Sequence, residues 1–358
     1  MQEDMSVPPA KVVWVLVPPG TVSNDGILLA PFGGLPFILR QLRLAARTGP
    51  HELLLVGGPL QIRQFEALKS HSLAPKFRLV DLAEAHPKFV VSPVGPTIFV
   101  VQNADHVFEA SFLMEYAEQV CANTGQHGGG HTVEQHYGIR ACPLKELSRA
   151  IECASSDIGP NNTSVVNHPP WFIGRVHDRS SLQIAEHDQW QRCRKDVDGI
   201  ISTHLNRHIS LAISKMLVST SITPNQITVF ALLLGLTGVA LITLLTYWTS
   251  LAGAVLLKAG SIIDGVDGEL ARMRVQSSVA GEWLDTISDD LVSLLFVLAI
   301  GYRGMVAGEH LWFYLSAFTA SCMIAFSAIY YRWLAQLGSG NLLNFDWFAF
   351  RSDDENKN

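Results

Sequence analysis

Residues 264–272 read D-G-V-D-G-E-L-A-R, and after eight further residues positions 281–289 read G-E-W-L-D-T-I-S-D. On an α-helix Asp264, Asp267, Gly268 and Ala271 fall at i, i+3, i+4 and i+7, while Gly281, Asp285 and Asp289 fall at i, i+4 and i+8. Each set therefore lines one helical face. Both stretches adjoin apolar sequence, 251–263 before the first and 291–302 after the second. Charge at the inner end of a membrane helix is tolerated where it faces a water-filled cavity. If the two helices are antiparallel neighbours, four carboxylates converge, and their repulsion in an apolar setting needs compensation. Divalent cations supply it. With hard oxygen ligands and no His or Cys in the set, Mg²⁺ or Mn²⁺ fits better than zinc, and two such ions would bridge a pyrophosphate. The small residues Gly268, Ala271 and Gly281 leave room for a nucleotide on the carboxylate faces.

Working outward, residues 229–248 form a run of 20 without charge, enough to cross a hydrocarbon core of about 30 Å. Residues 251–263, interrupted by Lys258, and 291–302 are too short to cross alone and must be extended by the polar residues between them; 311–334 is long enough. About four spans result. Upstream, 200–218 has apolar residues at helical spacing with Arg207, His208 and Lys215, the pattern of an interfacial amphipathic helix. In a four-span arrangement Lys195, Arg207, Lys215, Arg272, Arg274, Arg332 and Arg351 share one side and Arg303 takes the other, so the aspartates are expected at the cytoplasmic face of the cytoplasmic membrane.

Before this region the pattern changes. Residues 12–17, 52–56 and 97–102 read as buried strands, and 36–48 and 107–122 as helices. That alternation predicts an α/β domain with a mostly parallel sheet. Signals weaken over 123–197. The predicted organisation is an α/β domain (1–197), an interfacial linker (198–228), an all-α transmembrane domain (229–337) and a polar tail (338–358). Five scattered cysteines without a C-x-x-C pair exclude a disulfide framework or zinc knuckle. A net charge of −6 gives no basic excess for nucleic acid. Glu3, Asp4 and a short apolar run closed by Pro18 and Pro19 do not resemble a secretory signal, so the first domain is expected in the cytoplasm.

The spacing D-x-x-D-G-x-x-A-R-x8-G-x-x-x-D-x-x-x-D resembles the signature of the CDP-alcohol phosphotransferase (phosphatidyltransferase) family at every defined position. The resemblance implies an integral-membrane enzyme that transfers a phosphoalcohol group, phosphatidyl or phosphoinositol, from a CDP-alcohol to an acceptor alcohol and releases CMP. It implies that Asp264, Asp267 and Asp285 bind metal, and that Asp289 joins the metal centre and acts as base on the acceptor hydroxyl. Gly268, Ala271, Arg272 and Gly281 would surround the CDP moiety. T-P-N-Q-I-T (223–228) is similar to the family's lead into its first span, with Asn225 and Thr228 as nucleotide-side contacts; their plain reading is a helix start. A homodimer is implied. Members usually have six spans where this chain shows four, which implies either helices from a partner subunit or a shortened form.

The run L-L-A-P-F-G-G-L-P-F-I-L-R-Q-L (28–42) and E-L-L-L-V-G-G (52–58) resemble the opening of sugar-phosphate nucleotidyltransferases, and Q-N-A-D-H-V-F (102–108) offers Asp105 as that family's metal ligand. Fused ahead of the membrane domain, with the linker D-G-I-I-S-T-H-L-N-R-H-I-S (198–210), this arrangement resembles bifunctional inositol-1-phosphate cytidylyltransferase / CDP-inositol:inositol-phosphate transferases. The triphosphate loop departs from that pattern: Ile27 stands where a Lys is expected, and the second metal Asp is displaced to Asp178 or replaced by His177. A domain that kept its fold and lost cytidylyl transfer follows, one that would bind a nucleotide or serve as an assembly surface. The competing reading of the whole chain is a non-catalytic membrane scaffold derived from this family, for which four costly carboxylates have no evident use. A prenyltransferase would need a clustered D-D-x-x-D. Lys258, Arg274 and Arg332 would hold an acceptor phosphate or snorkel to the interface. The glycine-rich stretch with His127, His131 and His136 reads as a loop.

Overall fold

The computed structural model describes residues 11–18, 25–81, 97–104, 106–108, 110–126, 139–143, 147, 150, 151, 154, 172–193, 206–338 and 340. The chain divides into two units, Met1–Arg192 and Cys193–Asn358.

The first unit is built on a five-stranded sheet. Its strands are β1 (Lys11–Val17), β2 (Glu52–Gly57), β3 (Arg78–Asp81), β4 (Thr97–Asn103) and, after the short strand β5 (His106–Phe108), β6 (Ile139–Pro143). Their order is β3-β2-β1-β4-β6, parallel except for β6, which runs antiparallel to β4. Strand β1 is central, with Val15 paired to both Leu54 and Val101. A strand covered on both faces must be apolar at successive positions, not alternate ones, and V-V-W-V-L-V meets that demand with all six residues buried. One face packs Val13, Val15 and Val17 against Leu54, Val56, Phe99 and Val101. Helix α1 (Phe37–Arg47) buries Phe37, Ile38, Leu39 and Leu42. Three polar side chains inside form a chain of hydrogen bonds: Trp14 Nε1 donates to Gln102 Oε1 at 2.9 Å, and Gln102 Nε2 to Gln41 Oε1 at 3.4 Å.

Helix α2 (Pro59–Glu66) follows β2, and α3 (Ala110–Gln126) follows β5. The helix expected over 107–122 therefore begins three residues late. Residues 106–108 instead pair antiparallel with β7 (Phe172–Arg175), a partner too distant in sequence for local periodicity to reveal. Helix α4 (Arg179–Arg192) lies where the sequence signals fade, because only Leu182, Ala185 and Trp190 form its buried face.

The second unit is helical: α5 (Arg207–Leu217), α6 (Pro224–Thr243), α7 (Tyr247–Met273), α8 (Val279–Val306) and α9 (His310–Leu337). Thr223 and Gln226 form a reciprocal capping box that starts α6, with Pro224 at the first helical position. The uncharged run 229–248 is not one span. Helix α6 stops at Thr243, Leu245 turns with φ 64°, and Tyr247 and Trp248 open α7. Hydropathy is blind to that turn because its residues are as apolar as their neighbours. The short segments 251–263 and 291–302 are extended as expected, each continuing through the aspartate motif as α7 and α8. Among the described residues, three helices are long and apolar enough to cross a membrane, Pro224–Thr243, Tyr247–Met273 and His310–Gln336. At 28 residues α8 is as long as α9, but it carries Glu282, Asp285, Asp289, Asp290 and Arg303. These long apolar helices mark an integral membrane protein.

Helix α6 is the hub, packing against both α7 and α8, while those two approach each other far less. Contact with α7 is close at Gly238 and Gly253, where a Cβ on Gly253 would lie 2.5 Å from the Gly238 carbonyl oxygen. The aspartate helices therefore diverge around α6 instead of meeting along their length as direct neighbours.

Candidate active site

Asp264 lies 17 residues after the start of α7, about 26 Å along its axis, and α8 continues about 26 Å beyond Asp289. With a hydrocarbon core of about 30 Å, both sets of carboxylates would sit near the same membrane surface. The first turns of α6 join them there. Asp264, Asp267 and Asp285 each offer a carboxylate oxygen, and these oxygens lie within 4.8 Å of one another. Asp267 is buried and accepts a hydrogen bond from the Thr228 hydroxyl. Asp285 Oδ1 is buried without a hydrogen-bond partner among the described residues. Asp289, one turn beyond Asp285, is exposed and outside the group of three oxygens.

The donor set fits a hard divalent cation. Three carboxylates crowd together with one buried oxygen unsatisfied, an arrangement that costs several kcal/mol unless positive charge is present.

Gly281 lies against Asn225: a Cβ here would meet Asn225 Oδ1 at 2.9 Å and Ser278 Oγ at 3.2 Å. The helix start is fixed by Ser278, whose hydroxyl accepts from the Gly281 N–H at 3.1 Å. Gly268 faces its own helix neighbour, with Arg272 Nη1 3.3 Å from where a Cβ would stand. Arg272 donates to the Cys193 carbonyl at 2.9 Å, and its Nε is buried without a hydrogen-bond partner among the described residues. Ala271 is half-buried.

Several sequence candidates do something else. Arg274 is not a phosphate ligand in waiting; its guanidinium donates to the carbonyls of Leu217, Val218, Thr220 and Ile222, closing the end of α5 and the turn after it. Lys258 and Arg332 are exposed. Arg207, read as an interfacial cation, is buried against Glu269, Nη1 to Oε1 3.2 Å. His208 and Lys215 keep the exposed face. In the first unit, Asp178 caps α4, accepting from the Ser181 N–H at 2.6 Å, and that bond with the Ser181 hydroxyl holds its carboxyl below the usual range. Asp105, His127, His131, His136 and residues 198–205 lie outside the described residues.

Sequence reasoning passed over Glu269, fully buried among Arg207, Ser210 and Ser214, and Asp290, which accepts from Ser327, Tyr330 and Tyr331. A usable signal existed: each is a carboxylate five residues after a motif aspartate, about 140° around the helix from it.

Residues 221–339 match the family model described as CDP-alcohol phosphatidyltransferase. The chain is similar to the "Bifunctional IPC transferase and DIPP synthase" of Thermococcus kodakarensis, 39% identical over 137 residues, covering 38% of this chain and 30% of the relative. It is similar to the protein of the same description from Aquifex aeolicus, 35% identical over 135 residues, with the same coverage of 38% and 30%. Against the "Archaetidylinositol phosphate synthase" of Pyrococcus horikoshii identity is 36% over 96 residues, covering 25% of this chain and 47% of that one. The chain thus spans less than half the length of each of these relatives.

Proposed function

We propose, from the match of residues 221–339 to the CDP-alcohol phosphatidyltransferase family model, that this chain transfers a phosphoalcohol group from a CDP-alcohol to the hydroxyl of an acceptor, releasing CMP. The observation that carries this reading is the convergence of three carboxylate oxygens from two helices within 4.8 Å, with one Asp285 oxygen left without a hydrogen bond.

In this reading Asp264, Asp267 and Asp285 hold Mg²⁺ or Mn²⁺, with Asp289 beside them at a site for two ions. Positive charge held there would offset negative charge on the pyrophosphate, the dominant contribution in phosphoryl chemistry. Asn225, Gly268, Ala271, Arg272 and Gly281 line the CDP side, and the Arg272 Nε keeps a donor for it. Thr228 orients Asp267. Asp289, exposed one turn from the cage, takes the proton of the acceptor hydroxyl as its oxygen bonds to the phosphorus next to the alcohol. The bond from that phosphorus to the bridging oxygen breaks, and CMP leaves with the oxygen.

The membrane domain is read as about four spans over 229–337, with its active end and the N-terminal domain (1–197) cytoplasmic and the functional unit a homodimer. The Pyrococcus horikoshii relative is described as an archaetidylinositol phosphate synthase, and on that likeness we take an inositol phosphate as the first acceptor to test. The N-terminal domain is read as a nucleotidyltransferase fold that has lost cytidylyl transfer: Ile27 stands where a Lys is expected, and of the two candidates for the second metal position, Asp178 and His177, Asp178 caps a helix.

Detergent-purified protein incubated with CMP and candidate lipids should form a CDP-alcohol by the reverse reaction, dependent on Mg²⁺ or Mn²⁺ and lost in EDTA. Asp289→Asn should abolish this turnover while CDP-alcohol binding persists. Wild-type rates in that variant would remove Asp289 from the base role, and metal-independent rates would overturn the cage.

A further inference from the structure

The three aspartates face inward on two helices that barely approach each other, so something outside the cage must fix how each helix is turned. Apolar contact is non-directional and sets the rotation of a helix less sharply than hydrogen bonds do. A rotation of about 20° carries an oxygen at a radius of about 5–6 Å through about 2 Å. Metal coordination tolerates roughly 0.2 Å. Directional bonds are needed, and each helix has one set on the face away from the cage.

On α7, Glu269 lies five residues after Asp264, about 140° around the helix. Its carboxylate is fully buried and accepts from Ser210 Oγ at 2.7 Å, Ser214 Oγ at 2.6 Å and Arg207 Nη1 at 3.2 Å, all from α5. On α8, Asp290 lies five residues after Asp285, again about 140° around. One of its oxygens accepts from Tyr331 Oη at 2.6 Å, Ser327 Oγ at 3.3 Å and the Tyr330 hydroxyl, all from α9. Two outer helices thus grip the two carboxylate helices by the same device.

We propose that Glu269 and Asp290 are positioning residues, through which hydroxyl clamps from α5 and α9 set the rotation at which Asp264, Asp267 and Asp285 converge. This rests on the reading of the convergent aspartates as a divalent-cation site. It assigns helix α5 a part in metal binding.

Mn²⁺ titration of the detergent-purified full chain, followed by electron paramagnetic resonance, tests it without any substrate. Asp290→Leu, and separately Ser210→Ala with Ser214→Ala, should weaken Mn²⁺ binding by about ten-fold or more, the usual scale for outer-shell partners. Asp290→Asn keeps an acceptor for the hydroxyls and should stay within about three-fold of wild type on that scale. A residue serving stability alone would lower the melting temperature and leave Mn²⁺ affinity unmoved, so wild-type affinity in both Asp290→Leu and the serine pair overturns the proposal. Should Asp290→Leu fail to fold, Tyr331→Phe takes its place under the same criterion. Asp264→Asn separates the two readings: if wild type binds no Mn²⁺, or Asp264→Asn binds as well as wild type, the cage itself falls and the positioning claim with it.

Discussion

Gly281 shows how a single hydrogen atom shapes this site. A methyl group in its place would press on Asn225 Oδ1, 2.9 Å away, and the amide, being the free end of a side chain, would swing aside instead of unfolding the helix. Gly281→Ala is therefore expected to raise the KM for CDP-alcohol by about ten-fold, the effect of one displaced pocket group, with little change in melting temperature. An unchanged KM would take Asn225 off the nucleotide side. The Thr228 hydroxyl reaches Asp267, a contact its motif did not announce. Sequence pattern identifies residue types on a helical face, but which neighbour a hydroxyl meets depends on the helix opposite.

The turn between α7 and α8 carries the burden of bringing the two motif halves together. Helix α7 ends in a Schellman arrangement, Gln276 N–H to Ala271 O at 2.8 Å and Val275 N–H to Arg272 O at 3.4 Å, with Val275 at φ 54° where glycine is usual. A β-branched residue in the left-handed region costs about 1–3 kcal/mol. Its surroundings hold it there: Arg274 binds four carbonyls beside it, and Ser278 caps α8. Arg274→Met should destabilise the protein by about 3 kcal/mol, because the carbonyls lose their donors. Lys should not rescue, lacking the planar fork that spans several acceptors. Ser278→Ala should cost about 1 kcal/mol. Denaturation of the variants in detergent measures both, and a stable Arg274→Met would show that these carbonyls find other donors. None of this was legible in R-M-R-V-Q-S-S beforehand: the sequence offers no glycine to announce the turn, and Arg274 resembled any basic residue at a membrane edge.

At the scale of the whole molecule, the bundle is organised to keep like charges together at one end. Without cations that arrangement opposes folding; with them it reinforces the fold. Asp264→Asn is accordingly expected to be more stable than wild type in EDTA, by about 1–3 kcal/mol, and less stable than wild type in millimolar Mn²⁺. Melting temperatures of the two proteins under both conditions check this, and an order that does not reverse would mean the carboxylates are not stabilised by metal. Arg303 ties the far end, donating to the Ile242 carbonyl at 2.7 Å and Ser250 Oγ at 2.6 Å. Arg274 and Arg303 thus close opposite ends of α6.

Taken alone, the sequence determined the strands at 12–17, 52–56 and 97–102 and the helix at 36–48, that the second half is built of long apolar helices, and which faces carry carboxylates. Those properties follow from periodicity and hydropathy, which are local sums along the chain. The tertiary structure decided that α7 and α8 diverge around α6, that Arg207 turns inward to Glu269, that residues 106–108 form a strand, and that Asp290 is gripped from α9. Each of these depends on a partner distant in sequence, and the free energy of a buried charge or an edge strand is set by what covers it.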